Sequence, residues 1–116
     1  MSSIHETAYP RFRPEITPRE LADVYTPSQE EQAFARRQGR TLRGRLAVLV
    51  LVKTAQRLGY FVKLAEVPPS VVAHVAACLA TKPLAKIEMR DFDLDSERQR
   101  LLEHVRRFLG IQAVTD

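Results

Sequence analysis

Thr41-Leu42-Arg43-Gly44-Arg45-Leu46-Ala47-Val48-Leu49-Val50-Leu51-Val52-Lys53-Thr54-Ala55-Gln56-Arg57-Leu58-Gly59 is the stretch that decides the fold. Its β-branched residues suggest a strand. Against that, seventeen residues separate a threonine able to cap a helix from a glycine able to stop one, which is helix length. At 100° per residue, Ala47, Val48, Leu51, Val52, Ala55 and Leu58 fill one broad arc. Arg43, Lys53, Thr54 and Arg57 share the opposite side with Leu46 and Val50. The spacing predicts a central helix over 42–58 with a wide buried face.

The flanking sequence adds helices on both sides. Toward the C-terminus, residues 60–69 read as a connection with a double-proline stop. A helix then opens at Pro69 or Ser70 and runs to about Ala80, with Val71, Val72, Val75, Cys78 and Leu79 on its apolar side and Lys82-Pro83 at its end. Residues 83–95 turn acidic and read as a linker. Asp95 or Ser96 caps a last helix to Leu109, with Leu101, Leu102, Val105, Phe108 and Leu109 as its stripe and Gly110 as its stop. Toward the N-terminus, Thr17-Pro18-Arg19-Glu20 and Thr26-Pro27-Ser28-Gln29 both carry capping-box grammar. They predict helices near 18–24 and 27–38, the second ended by Gly39, behind an extended arm over 1–16. Strand signals and repeats are absent. The expected fold is all-α, a small helical bundle with a helix-turn-helix-like pair at 42–58 and 69–80. The expected organisation is a helical subdomain with its N-terminal arm over 1–82, an acidic linker over 83–95 and the start of a second helical subdomain over 96–116.

Charge is distributed unevenly. Residues 32–65 contain no Asp or Glu but hold Arg36, Arg37, Arg40, Arg43, Arg45, Lys53, Arg57 and Lys63. The formal net charge of +4 is thus a stripe of +8 on a body of −4. A field of one sign steers polyanions in, and nucleic acid is the commonest such partner because neutralised phosphates release counterions. A merely solvated helix face mixes signs at i, i+4, and this one does not. Arginine outnumbers lysine six to two in the stripe, and guanidinium suits bidentate contacts to phosphate and guanine.

Other chemistry finds little support. His5, His74 and His104 are far apart and Cys78 is the one cysteine, so no metal-ligand spacing exists and no internal disulfide is possible. Cys78 sits mid-helix among apolar residues, where a thiol behaves as a small hydrophobe. Asp91, Asp93 and Asp95 alternate like a calcium loop but lack its glycine and its terminal glutamate. With four glycines there is no phosphate-cradling loop. No enzyme activity, cofactor, metal or small-molecule substrate is expected. The longest apolar run, 46–52, is short of the roughly 20 residues of a membrane span, and the N-terminus does not resemble a signal peptide. A soluble, cytoplasmic protein is expected, without membrane association. At 116 residues the chain should bury roughly two-thirds of its unfolded surface, enough for a modest core.

Leu49-Val50-Leu51-Val52-Lys53-Thr54-Ala55-Gln56-Arg57-Leu58-Gly59-Tyr60-Phe61, then Val67-Pro68 and Val71-Val72-Ala73-His74-Val75-Ala76, resembles the N-terminal domain of the Tn-three class of bacterial replicative transposases. Tyr25-Thr26-Pro27 before a charged helix agrees with it, and the resemblance spans about residues 1 to 110. It implies an all-helical module that recognises the terminal inverted repeats of a transposon in double-stranded DNA. The rest of such a transposase is an implied partner, and the bacterial nucleoid an implied location when bound. Lys53, Thr54, Gln56, Arg57, Leu58, Gly59, Tyr60 and Phe61 match the family's motif. Side-chain chemistry, rather than the resemblance, selects Lys53, Thr54, Gln56, Arg57 and Tyr60 as groups that reach bases or phosphates. Leu58 and Phe61 read as core and Gly59 as the helix stop. Arg36, Arg37, Arg40, Arg43 and Arg45 read as phosphate contacts, and Arg11 and Arg13 on the arm as minor-groove contacts. The downstream nuclease of full transposases has no counterpart here, so strand transfer by this chain alone is not expected. The competing expectation is a regulatory, protein-interaction module. In it the basic stripe meets an acidic partner and the 96–109 helix offers its apolar stripe for pairing.

Overall fold

A computed structural model describes residues 12, 15–82 and 85–113. Among them are six α-helices, one turn of 3₁₀ helix (Leu64–Glu66) and no strand. The helices are α1 (Pro18–Tyr25), α2 (Gln29–Gln38), α3 (Leu42–Leu58), α4 (Pro69–Cys78), α5 (Lys86–Leu94) and α6 (Ser96–Ala113). The architecture is the all-α bundle expected. Arg11 and Arg13 of the expected arm lie outside the described residues.

α3 is the axis of the bundle. Thr41 caps it by accepting a hydrogen bond from the Gly44 amide at 3.0 Å. Gly59 ends it in the left-handed region at φ +85°, its amide donating to the Ala55 carbonyl. Every residue from 46 to 55 is buried. Helices α1, α2, α4 and α6 all pack on it, so the apolar surface wraps the whole cylinder rather than one arc. Each fully buried Leu or Val contributes about 1.5–3 kcal/mol.

Three helix boundaries differ from those expected. The second helix starts at Ser28, not Thr26. Ser28 Oγ accepts from the Glu31 amide at 3.1 Å, and Glu31 Oε1 accepts from the Ser28 amide at 2.8 Å. A carboxylate makes a stronger return bond than the Gln29 amide of the competing box. Thr26 instead follows α1, and its hydroxyl lies 2.8 Å from His74 Nε2 on α4. α4 ends at Cys78 because Ala80 turns left-handed (φ 54°), with Thr81 N–H on the Ala76 carbonyl and Ala80 N–H on the Ala77 carbonyl. This is a Schellman stop built on alanine in place of the usual glycine.

The acidic stretch 83–95 is not a linker. It holds α5, begun by Glu88 Oε1 accepting from the Ala85 amide at 2.9 Å. Met89 is buried and Phe92 packs against the core, a stripe too short to register as a period. Asp93 reaches across to the connection after α3, its carboxylate accepting the Leu64 and Ala65 amides at 2.8 and 3.1 Å. Arg98 braces that join with Nε 3.3 Å from Asp93 and Nη2 donating to the Val62 carbonyl at 3.1 Å. Finally, α6 runs through Gly110 to Ala113. Its Leu101, Leu102 and Val105 are buried in the same cluster as α3, and Phe108 stacks on Phe34 at 4.2 Å. The expected second subdomain therefore shares one core with the rest, and the stripe expected for pairing with a partner is spent inside the chain.

Candidate nucleic-acid interface

The cations of the stripe separate into two groups once folded. The first sits on the corner where α2 gives way to α3. Arg36 and Arg37 occupy the last turn of α2, Arg40 the connection and Arg43 the first turn of α3, and all four are exposed. Arg37 also stands over the Phe34 ring, 5.9 Å from its centroid. Arg36, Arg37 and Arg40 make no ion pair with any described residue. Arg43 pairs with Glu88 of α5 at 3.0 Å. The corner is tight because a Cβ on Gly39 would lie 2.5 Å from the Arg45 nitrogen and 2.8 Å from the Gly44 carbonyl carbon. Arg45 serves that turn: it is half-buried, with Nε donating to the Gly39 carbonyl at 3.2 Å. It belongs to the scaffold of the corner, not to its open face.

The second group is the motif string 53–60, and here the expected DNA contacts need correction. Lys53 and Thr54 are buried, at 8% and 0% exposure. Lys53 Nζ sits 3.1 Å from Glu31 Oε1, and Thr54 Oγ1 donates back to the Val50 carbonyl at 2.7 Å. Neither faces outward, because α3 is covered on the side that the helical wheel left open. Gln56 is exposed, but its Nε2 donates to Glu31 Oε2 at 2.6 Å. Arg57 is half-buried with Nε 3.9 Å from Glu20 Oε2. Tyr60 is 41% exposed. Leu58 and Phe61 are core or packed against it, and Gly59 is the stop, as expected.

Glu31 is the hub of this second group. Its carboxylate takes the Ser28 amide, Lys53 and Gln56 together. Burial pushes its pKa up, but the Ser28 amide, Gln56 and Lys53 outweigh that and hold it below the ordinary carboxylate value. The linkage sign follows. A depressed folded-state pKa contributes stability above the unfolded value of about 4.3 and loses it as pH falls through the folded value. The denaturation midpoint of the wild type should therefore drop as pH is lowered from about 6 to about 2.5, and drop less steeply in Glu31→Gln. Equal slopes in chemical denaturation would contradict this. Nearby, burial is the main cause that raises the Tyr25 pKa, with Arg57 opposing and Glu20 adding.

A cavity of about 550 Å³ opens beside the arginine corner. Arg40 and Arg43 stand on its α2–α3 wall, and Glu88, Asp91 and Phe92 of α5, with Asp95 just after that helix, on the other. Among the described residues no group of three or more His, Cys, Asp or Glu is placed to hold a metal ion. No helix among them is long and apolar enough to cross a membrane.

Glu31 had a visible sign in sequence, since Ser-x-x-Glu is capping grammar. Asp93 and Arg98 had none. Their bonds span about thirty positions and depend on where α5 docks. No curated protein and no solved structure matches the chain. The family described as a domain of unknown function (DUF4158) matches residues 1–116, and the chain belongs to that family.

Proposed function

We propose that this chain is a non-catalytic DNA-binding module that receives duplex DNA on the corner formed by Arg36, Arg37, Arg40 and Arg43. The observation that carries the reading is four exposed guanidiniums within eight positions, in a stretch with no acid from residue 32 to 65. The start of α3 adds to the field, because its first turn has no acidic residue to offset the positive end of the helix dipole. The resemblance to the N-terminal domain of Tn-three transposases makes the terminal inverted repeat of a transposon the duplex of choice, with the rest of a transposase as the chain's working partner. Lys53 and Thr54 leave the proposed contact set. Gln56, Arg57 and Tyr60 are secondary to the corner.

Duplex binding measured by fluorescence anisotropy at several salt concentrations tests the reading. Each phosphate contact contributes about 0.9 to the slope of log K against log salt. Removing Arg36, Arg37 and Arg40 together by alanine should flatten that slope by about 2–3 and weaken binding to all duplexes by about 100-fold at low salt. A wild type that binds no duplex at low salt would end the proposal. A competing reading, an acidic protein partner, is favoured by one observation: Arg43 already takes a carboxylate, that of Glu88. In that case the triple variant would lose the protein partner while duplex binding, if any, stayed unchanged.

A further inference from the structure

We propose that α5 is an acidic shield over the arginine corner, in which Glu88, supported by Asp91 and Asp95, competes with DNA phosphates for Arg43 and Arg40. The inference rests on the DNA-binding reading above and names the regulation of that same site. Two observations carry it. The Arg43–Glu88 ion pair at 3.0 Å joins the corner to α5. The cavity beside it also has walls of opposite sign, with Arg40 and Arg43 on one and, on the other, Glu88 and Asp91 at i and i+3 of α5 and Asp95 in the extended residue that follows the helix.

The remaining acid of that stretch, Asp93, is committed elsewhere, to the Leu64 and Ala65 amides and to Arg98. Glu88 thus holds Arg43, while Asp91 and Asp95 line the same cavity as Arg40 and Arg43. The Arg43 side chain is 74% exposed and that of Glu88 28%. A pair with one solvated partner is weak enough to exchange. A phosphate oxygen and a carboxylate oxygen are equivalent partners for a guanidinium. Exchange is driven by the counterions that DNA releases, and it succeeds only for a duplex that approaches closely enough to displace Glu88. Loose, non-specific encounters then find Arg43 already paired and Arg40 beside a carboxylate-lined cavity.

The test compares the full chain with Glu88→Gln, using a labelled random-sequence duplex of about 30 base pairs across a salt series. Glutamine keeps the acceptor for the Ala85 amide and removes only the charge. Glu66→Gln, an exposed acid on the 3₁₀ turn, controls for the general loss of one negative charge. The expected result is that Glu88→Gln binds about three- to fivefold more tightly and steepens the salt slope by about 0.9, while Glu66→Gln does neither. Arg43→Ala should also weaken the Glu88→Gln protein more than it weakens the wild type. The shield is overturned, with the DNA reading intact, if Glu88→Gln matches Glu66→Gln while wild-type binding still depends on Arg40. It is equally overturned if Arg43→Ala has the same effect in both backgrounds. If neither wild type nor Glu88→Gln binds the duplex at low salt, both proposals fall. Circular dichroism checks that Glu88→Gln is folded, and Asp91→Asn, at an exposed position of the same wall, gives the same comparison if it is not.

Discussion

Glu31→Ala is expected to cost about 3–5 kcal/mol of stability, because it strands the Lys53 ammonium in the core. Lys53 is 8% exposed, and Glu31 is its ion-pair partner at 3.1 Å. The same change removes the return bond of the α2 capping box and the acceptor of Gln56. Domains of this size hold about 5–15 kcal/mol in total, so the variant should unfold at a much lower urea concentration. Replacing the pair together, Glu31→Met with Lys53→Met, should recover more than half of the loss, since two apolar side chains of similar length leave no charge uncompensated. A loss below about 1 kcal/mol for Glu31→Ala would mean that water reaches the pair. The double variant also tests the site directly. Lys53 stands in the string that resembles the transposase motif, yet its removal there should leave duplex affinity unchanged.

Gly39→Ala is expected to cost about 3 kcal/mol by a different mechanism, steric rather than electrostatic. The backbone at Gly39, φ −91° and ψ 128°, suits any residue. What forbids a side chain is the first turn of α3, whose Arg45 nitrogen, Gly44 carbonyl carbon and Arg45 Cα lie 2.5, 2.8 and 2.9 Å from where a Cβ would sit. All three are backbone atoms, so relief requires α2 and α3 to move apart. Gly59 shows the contrast. It has φ +85° and no atom within 4 Å of an added Cβ, so Gly59→Ala should cost only about 1 kcal/mol, the strain of a left-handed alanine. Chemical denaturation of the two variants side by side separates the mechanisms. Near-equal losses would contradict the close crossing at Gly39. Because that crossing sets the spacing of Arg36, Arg37, Arg40 and Arg43, Gly39→Ala should also weaken duplex binding at the proposed corner.

The parts of the fold legible in sequence were those governed by local rules. Thr41 and Gly59 bracket α3 because capping and left-handed turns are decided within a few residues. Pro69 opens α4 for the same reason. What escaped was set by tertiary packing. Among its described side chains α5 is anchored by Met89 and Phe92, and its acids read as solvent-facing linker until Asp93 is seen capping the 3₁₀ turn from across the bundle. The Ala80 stop carries no glycine to announce it. The candidate site divides in the same way. The acid-free window identified the arginine corner without any structure. Within the string 53–60, Lys53 and Thr54 depart from expectation, because a polar residue on a helical wheel reads as exposed. Lys53 and Thr54 are buried polar groups whose bonds, to Glu31 and to the Val50 carbonyl, satisfy them inside the core.

The central claim is that duplex DNA seats on the α2–α3 corner. Adding an inverted-repeat or random duplex to ¹⁵N-labelled protein at low salt tests it most directly, by showing which backbone amides move. The account predicts shifts concentrated on residues 36–44, moving back as salt is raised, with residues 53–57 and 70–77 largely still. Shifts centred on 53–57 or 70–77 with the corner unmoved, or none at all at low salt, would contradict it.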